Sequence, residues 1–168
     1  MIWIVMQIVL ALELANLYEW VFHKYPLHLW AKKKTSIFHF HWSHHRNVRK
    51  SGGYDPDYEK LFPPSKEMIA LGLLATLHAP LYFVAPWFAG TLGVYAFAYY
   101  TLHRHAHMNP EWGKRWMPWH YDHHLGKNQD TNWCILFPLW DHILRTRTPG
   151  RFTNWYPNAY RKNNRNDI

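Results

Sequence analysis

Long apolar stretches constrain this chain more than any other feature of its sequence. The first runs from Ile2 to about Val21 and contains Glu13 as its one deeply placed charge. Twenty helical residues span about 30 Å, the thickness of the hydrocarbon core of a bilayer. A signal peptide is the alternative interpretation, but it requires basic residues before a shorter apolar run and a small-residue cleavage site, without an internal Glu. We therefore predict a membrane helix here.

The second apolar stretch, residues 68–103, contains no Asp, Glu, Lys or Arg. It is too long for one ordinary spanning helix and suits two short ones. Pro80, Pro86 and Gly90 cluster in the middle, where a hairpin would turn. Each arm has about 17 residues, close to the lower limit for crossing a bilayer. The pattern predicts an all-α, integral-membrane helical bundle with apolar arms at about 2–22, 68–84 and 87–103.

The distribution of charge predicts the topology and the domain organisation. Lys and Arg total 19 against 11 Asp and Glu, and nearly all the basic residues lie in 24–67 and 104–168. By the positive-inside rule both regions lie on the cytoplasmic side of a multi-pass protein, which in a bacterium would occupy the inner membrane. We predict one membrane-embedded domain over 1–150 and a polar, basic tail over 151–168.

Two other classes of protein are disfavoured by the composition. The net charge of +8 raises nucleic-acid binding as an alternative, but the chain has no helix-turn-helix or RNA-binding signature. Anionic lipid explains basic residues that flank membrane arms better. The single cysteine, Cys134, excludes a disulfide scaffold and a Cys-rich zinc site.

Ten of the fourteen histidines fall into four clusters. The clusters are His23 and His28; His41, His44 and His45; His103 and His107; and His120, His123 and His124. Positions i, i+3 and i+4 of a helix share a face, so each triplet and the 103/107 pair should point one way. His23 and His28 would diverge on an unbroken helix. Pro26 between them predicts that the helix ends or kinks near Tyr25, which could swing His28 back toward His23.

The clusters form an internal repeat. Thirteen positions separate His28 from His41, and thirteen also separate His107 from His120. Each half therefore has a membrane arm, a histidine pair at its exit and then an H-x-x-H-H triplet. Imidazole suits Zn, Cu, Fe and Ni, and ten imidazoles on one side of the membrane suit two ions with about five ligands each. We predict a cytoplasmic, histidine-rich dimetal cap built from two similar halves.

The remaining histidines are expected to pack rather than to bind metal. His39 and His105 are each two positions from a cluster member and so face away from it on a helix. His142 lies in a different segment, and His78 lies inside the uncharged hairpin, where a polar group usually has a partner or a function.

The boxes resemble those of a known family. Residues 39–46, His-Phe-His-Trp-Ser-His-His-Arg, are followed by Gly-Gly-Tyr-Asp-Pro-Asp-Tyr, and residues 118–127, Pro-Trp-His-Tyr-Asp-His-His-Leu-Gly-Lys, are followed by Thr-Asn-Trp and Phe-Pro-Leu-Trp-Asp. They are similar to bacterial members of the fatty acid hydroxylase and sterol desaturase superfamily, over about residues 18–148. The sequence departs from that family at Cys134, where a small residue such as Gly is usual, and in having three apolar arms rather than four or more.

The resemblance implies a di-iron oxygenase. Its metal ligands would be His23, His28, His41, His44, His45, His103, His107, His120, His123 and His124. Two iron ions with O₂ as co-substrate would hydroxylate a lipid, with a fatty acyl chain as the expected substrate. Zinc could occupy the same ligands in purified protein, since Zn²⁺ ranks above Fe²⁺ in affinity, but it cannot change redox state.

Several polar residues are candidates for orienting the ligands. They are Glu19, Asp122, Asn128, Asp130, Asn132 and Asp141. Glu19 lies one turn before His23 and could accept its free N–H. Glu13 is a weaker candidate that should face the bundle, because a charge is costly at the bilayer centre. The tryptophans 112, 116, 119, 133 and 140 are expected to form mostly an interfacial belt.

Alternative functions remain open at this point. The same type of centre performs carotenoid or sterol hydroxylation and desaturation elsewhere in the superfamily. A non-redox, zinc-stabilised membrane module without oxygenase activity is an alternative of another class. We expect no fused redox domain, and the sequence has no Gly-rich dinucleotide fingerprint, so an oxygenase would need a separate electron-donor protein as well as its membrane lipid.

Overall fold

The first apolar arm forms one long helix in the computed structural model, which describes residues 1–62 and 65–153. Helix α1 (Ile2–Phe22) continues directly into a π-helical segment, His23–Leu29. Pro26 lies inside that segment, so the α-helix ends close to the predicted position, but it does so by changing to a π-helix and not by breaking. A proline ring clashes with the carbonyl four residues earlier in an α-helix, and the wider π turn accommodates it. Because π-helical hydrogen bonds join residues five apart, His23 and His28 share a face.

The hairpin is formed by two helices of unequal length. Helix α3 (Lys66–His78) begins at Ser65, whose hydroxyl accepts a hydrogen bond from the Met68 N–H at 3.1 Å, and a 3₁₀ segment, Ala79–Phe83, follows it. Helix α4 (Pro86–Met108) begins with a proline, which is common at the first helical position. It packs mainly against α1, where the side chain of Gln7 accepts a hydrogen bond from the Phe88 N–H at 3.2 Å.

Short helices at the exits of the arms carry the histidine triplets. Helix α2 (Phe40–Lys50) follows 3₁₀ segments at Trp30–Lys32 and Ile37–His39, and another, Pro56–Tyr58, precedes α3. Helices α5 (Pro110–Trp116), α6 (Pro118–Leu125) and α7 (Leu139–Ile143) follow α4. The helical elements account for every regular segment in the described part of the chain, which confirms the all-α prediction.

Tyr121 joins the two halves of the cap. Its hydroxyl donates to the Ala106 carbonyl at 2.7 Å, and its ring lies against Gly53 and Gly113. A Cβ built on Gly53 would lie 2.6 Å from the ring, and Gly53 has φ +120°, a conformation that side chains rarely adopt. Glycine at this position therefore allows the loop after α2 to approach α6 closely.

Burial is inverted relative to a water-soluble domain. Within the described residues the interior holds most of the histidines, whereas apolar side chains on the arms are exposed, as with Leu73 at 68% and Phe97 at 72%. Such an apolar exterior is expected to face lipid or a partner. The stretch Ile2–Lys32 is the one helix in the described part that is long and apolar enough to cross a membrane. Helix α3, with 13 residues, is about 20 Å long and too short to do so.

Candidate metal centre

Two groups of buried imidazoles meet where α1, α2, α4 and α6 converge. The first imidazole group consists of His23, His28, His41, His45 and His123, and the second consists of His44, His103, His107 and His124. Within each group the candidate ligand atoms lie within 4.8 Å of one another. His120 adjoins the second group, with its Nε2 2.9 Å from that of His107 and its ring centroid 4.4 Å from that of His124. The structure thus brings together all ten predicted ligands.

The triplets are divided between the two groups. All three α2 histidines lie on its buried face, but His41 and His45 belong to the first group and His44 to the second. In α6, His123 belongs to the first group and His124 to the second. With His120 included, each group takes four imidazoles from one half of the chain and one from the other. Neither half can therefore form its group without the other.

Backbone carbonyl groups set the tautomer of three imidazoles. The Nδ1 atoms of His23 and His123 lie 2.6 Å from the carbonyl oxygens of Trp133 and Thr131, respectively. The Nδ1 atom of His107 lies 2.8 Å from the carbonyl oxygen of Gly53. A carbonyl can only accept, so each Nδ1 carries the proton and donates it. The Nε2 lone pair is then left pointing into the centre, which is the tautomer that binds a metal.

Carboxylates serve the second group in the same way, and sequence reasoning missed both of them. The Nδ1 atom of His44 lies 2.6 Å from Asp55, and that of His103 lies 2.8 Å from Glu67. Burial alone would raise the pKa of Asp55, but the hydrogen bond from His44 helps hold that pKa below its ordinary value. Asp55 lies in the Gly-Gly-Tyr-Asp-Pro-Asp-Tyr motif, which offered a signal, whereas Glu67 directly precedes the uncharged run and offered none.

The Nε2 atoms crowd together in a way that hydrogen bonding does not satisfy. The Nε2 atom of His45 lies 3.1 Å from those of His28 and His41 and 3.2 Å from that of His123. A ring nitrogen has either one N–H or one lone pair, so it cannot bond to three others. Neighbouring ligands at about 2.1 Å from a shared ion lie about 3.0–3.4 Å apart. This spacing therefore fits a cation at the common point.

The second group also fits a cation, because several of its ring nitrogen atoms lack a hydrogen-bond partner. The Nε2 atoms of His44, His103 and His124 are buried and have no hydrogen-bond partner among the described residues. A buried polar atom without a partner costs about 1–3 kcal/mol. Three such atoms, facing one point and drawn from three helices, fit a metal ion that would supply the missing partner. The residues present therefore fit two ions.

Burial keeps the imidazoles of α2 and α6 neutral. It lowers the pKa of each histidine in α2 and α6, and neighbouring imidazoles lower it further. For His44 the Asp55 carboxylate opposes this effect without cancelling it. A neutral imidazole is the form that binds a metal, so these ligands are ready to bind at neutral pH.

Glu19 acts elsewhere than predicted. The Nδ1 atom of His23 is bonded to Trp133, as described above, and Glu19 makes no hydrogen bond to it in the described structure. The Glu19 carboxylate instead accepts from Asn16 at 2.9 Å and from the Ile135 N–H at 3.1 Å. The cause is the loop after α6, which folds against α1 and brings its backbone donors to the buried carboxylate.

Asp122 is also directed away from the imidazoles. Its carboxylate accepts from the backbone N–H groups of Gly150 and Phe152, each at 3.0 Å, and from the hydroxyl of Thr153. It is adjacent to His123 in sequence but lies on a different side of α6. Asp122 therefore ties residues 150–153 to this helix.

Asp141 positions His23 indirectly, through the backbone of Trp133. Its two carboxylate oxygens accept from the N–H groups of Trp133 and Cys134 at 2.9 and 2.8 Å. These bonds fix the peptide whose Trp133 carbonyl holds His23. The sequence pattern indicated the right residue, but the backbone link between them could not be read from spacing.

The last three predicted positioning residues contribute less. Asp130 faces His28, but its carboxylate lies 3.6 Å from Nδ1 and is 54% exposed. Asn128 accepts from the Asp130 N–H at 2.9 Å and so shapes the turn. Asn132 has φ 57° and pairs with the backbone of Thr148 at 2.8 and 2.9 Å. These residues shape the loop rather than orient a ligand. Nearby, the Gln129 side chain reaches Nδ1 of His45 at 2.6 Å, which the sequence did not indicate.

The other histidines and aromatic residues are placed as follows. His39, His78, His105 and His142 lie outside both imidazole groups. Trp133 is buried with its ring 4.8 Å from that of His28, so it lines the centre, whereas Trp116 is 57% exposed. Glu13 was expected to face the bundle, but its side chain is exposed on α1 beside α7, where its carbonyl accepts from Trp140 at 3.1 Å.

A large and mostly apolar cavity reaches both imidazole groups. Its volume is ≈ 1640 Å³, and α1, α3 and α4 supply half of its lining residues, which also include His23, His41 and His44. Gly90 and Gly93 of α4 also line it and have open space beyond them. The cavity thus connects the apolar arms with both imidazole groups.

Comparison with known proteins adds no information on function, so any functional assignment depends on the geometry described above. No family model, curated protein or solved structure matches the chain. The likeness to the fatty acid hydroxylase and sterol desaturase superfamily therefore rests on the histidine boxes quoted above.

Proposed function

We propose that the protein is a membrane-bound di-iron oxygenase that hydroxylates a C–H bond of a lipid, with a fatty acyl chain as its substrate. One observation carries this proposal: a largely apolar cavity of ≈ 1640 Å³ reaches two groups of buried imidazoles. A metal site with a purely structural role does not need such a cavity. A lipid oxygenase needs both parts in contact.

The overall reaction would be R–H + O₂ + 2 e⁻ + 2 H⁺ → R–OH + H₂O. Two bound iron ions would supply the reduction of O₂, which side chains cannot perform. The histidines would hold the ions, and the Nδ1 partners would hold the rings in place. The apolar walls would bind the acyl chain and exclude water, so that the carbon to be oxidised lies beside His23, His41 and His44.

The proposed topology follows from the separation of the apolar arms from the basic, histidine-rich regions. Helix α1 would cross the bilayer, and α3 and α4 would enter it as a hairpin from the cytoplasmic side. The exposed apolar faces of the arms support this placement, as do the basic residues flanking them. In a bacterium the membrane would be the inner membrane.

A bulkier lipid is a second candidate substrate. The volume of the cavity exceeds the range of about 300–1000 Å³ that is usual for a small-molecule site. This room favours a carotenoid or a sterol as the alternative to a single acyl chain, with hydroxylation or desaturation as the outcome.

Lipid and metal analysis test the proposal. Cells that express the protein should contain a hydroxylated lipid that is absent when His44→Ala replaces it, and the purified protein should bind two metal ions per chain. The matched control is His105→Ala, which removes an exposed imidazole two residues from two predicted ligands. Fewer than two ions per chain, or full metal content in His44→Ala, would contradict the dimetal centre. If two ions bind but the iron-loaded, chemically reduced protein consumes no O₂ with any lipid class, the zinc-stabilised module is the better description.

A further inference from the structure

A second opening reaches the metal centre from another direction. It is a recess of ≈ 460 Å³ lined by Lys32, His39, Trp42, His45, Arg46, Arg49 and Gln129. We call it the basic recess. The side chain of Gln129 lies in it, 2.6 Å from Nδ1 of His45. The basic recess and the apolar cavity have only His39 in common among their lining residues.

Helix α2 separates the two openings. Trp42, His45, Arg46 and Arg49 occupy positions i, i+3, i+4 and i+7, which form one stripe on a helix, and this stripe lines the basic recess. Phe40, Ser43 and His44 line the apolar cavity from the opposite side of α2. The centre can therefore be reached by two different molecules at the same time.

The rim of the basic recess is positively charged. Arg46 and Arg49 are exposed on the outer face of α2, and Lys32, which is 51% exposed across from them, has its Nζ 3.5 Å from the Asp130 carboxylate. Arg49 is also held in place, because its guanidinium donates to the carbonyls of His124 and Gly126 at 2.8 and 3.1 Å. The two arginines leave the rim with a net positive charge, which attracts an acidic partner and orients its approach.

Trp42 connects the surface of this recess to the first imidazole group. Its ring centroid lies 5.1 Å from that of His28 and 5.6 Å from that of His45. Its indole N–H donates to the carbonyl of His28 at 3.3 Å. The recess therefore has a half-buried aromatic residue in contact with two of the predicted ligands.

We propose that the basic recess is the docking site for a small, acidic, one-electron donor protein. This inference rests on the proposed function, because each hydroxylation consumes two electrons that must be delivered to the two ions. The donor would be oxidised twice for each turnover, by one electron each time, while two protons come from water and O₂ yields the hydroxyl oxygen and one water. An anionic membrane is the less fitting partner. The recess is concave, and α2 lies between it and the apolar cavity. It therefore opens on the side of α2 opposite to the cavity.

Binding tests the docking site separately from turnover. The metal-loaded protein would be placed in discs of uncharged phosphatidylcholine, and the probes would be three acidic donors: a plant-type ferredoxin, a rubredoxin and a flavodoxin. We expect at least one to bind, with an affinity that falls steeply from 50 to 200 mM salt, because the contact is between exposed charges. Arg46→Glu should weaken that binding about tenfold or more. Arg115→Glu makes the same change of charge at an exposed site outside the recess and should have no effect.

Reduction kinetics provide the second readout. Transfer of electrons from the bound donor should be slowed in Arg46→Glu, whereas reduction by dithionite should not change. Failure of all three donors to bind, or equal binding by Arg46→Glu and the unmodified protein, would overturn the docking site. The docking site would also be overturned if Arg46→Glu lost binding to phosphatidylserine vesicles but kept its binding to the donors. The recess would then be a lipid contact. If the donors bind as expected but the reduced protein oxidises no lipid, the proposed function fails and the docking site does not.

Discussion

The histidine centre and the apolar cavity lie side by side but are packed in opposite ways. In the centre, side chains such as His107 are fully buried and have a fixed hydrogen-bond partner. Around the cavity, α4 carries Gly90 and Gly93 with open space beyond them, and α3 leaves Leu73 68% exposed. Ligands must be held to within a fraction of an ångström, whereas a flexible apolar chain needs only room and a non-polar wall. Substitutions in the two regions should therefore have different consequences.

The largest effect is expected from the loss of a central ligand. His45→Ala removes the nitrogen that lies within 3.2 Å of three others in the first group, and its ring is 4.2 Å from that of His124 in the second. We expect metal content to fall from two ions per chain to one or fewer, measured by elemental analysis. His105→Ala should retain both. Two ions retained by His45→Ala would show that His45 is not a required ligand.

A smaller effect is expected from a positioning residue. Asp55→Asn keeps the size of the side chain but removes the negative charge that holds Nδ1 of His44. Loss of such a partner typically lowers metal affinity about 10–100-fold. A metal-chelator competition assay would measure this, with the exposed Asp57→Asn as the control and Asp55→Glu as a rescue. Equal affinity in Asp55→Asn would mean that this carboxylate only stabilises the loop.

The cavity should respond to volume rather than to charge. Gly93 is ten residues before His103, about 15 Å along α4, so Gly93→Leu should block the cavity at that depth. We expect activity on C16–C18 acyl chains to fall by about tenfold while shorter chains remain substrates and both metal ions are retained. Gly72→Leu is the matched control, because Gly72 has open space around it but does not line the cavity. Equal losses in the two variants would argue against this cavity as the substrate site.

The last prediction concerns stability alone, with no expected change in metal content, and it tests the revised role of Glu19. Glu19→Gln weakens the acceptor for Asn16 and for the Ile135 N–H, which should lower stability by about 1–3 kcal/mol. Thermal unfolding should show a lower Tm with metal content unchanged. Metal loss without a change in Tm would instead return Glu19 to the role of orienting His23.

Spacing along the chain was sufficient to find the imidazoles that cluster but not the groups that hold them. The i, i+3, i+4 pattern indicated that His41, His44 and His45 share a face, since helical geometry is local. It did not reveal that the triplet divides between two groups, because that depends on where α4 and α6 pack. The carbonyl groups of Trp133 and Thr131 are invisible to a search for residue types, since every residue has one. Glu67 is 36 residues from His103 and was brought to it by the packing of α3 on α4.

The amino-acid sequence by itself determined the helical class, the apolar arms and the ten histidines, because hydrophobic periodicity and side-chain spacing are properties of neighbouring residues. Tertiary structure alone decided which imidazoles form each group, which atoms hold their Nδ1 protons and how an apolar cavity comes to end beside them. Those features join residues from distant segments, and only the packing of the two halves against each other brings the segments within bonding distance.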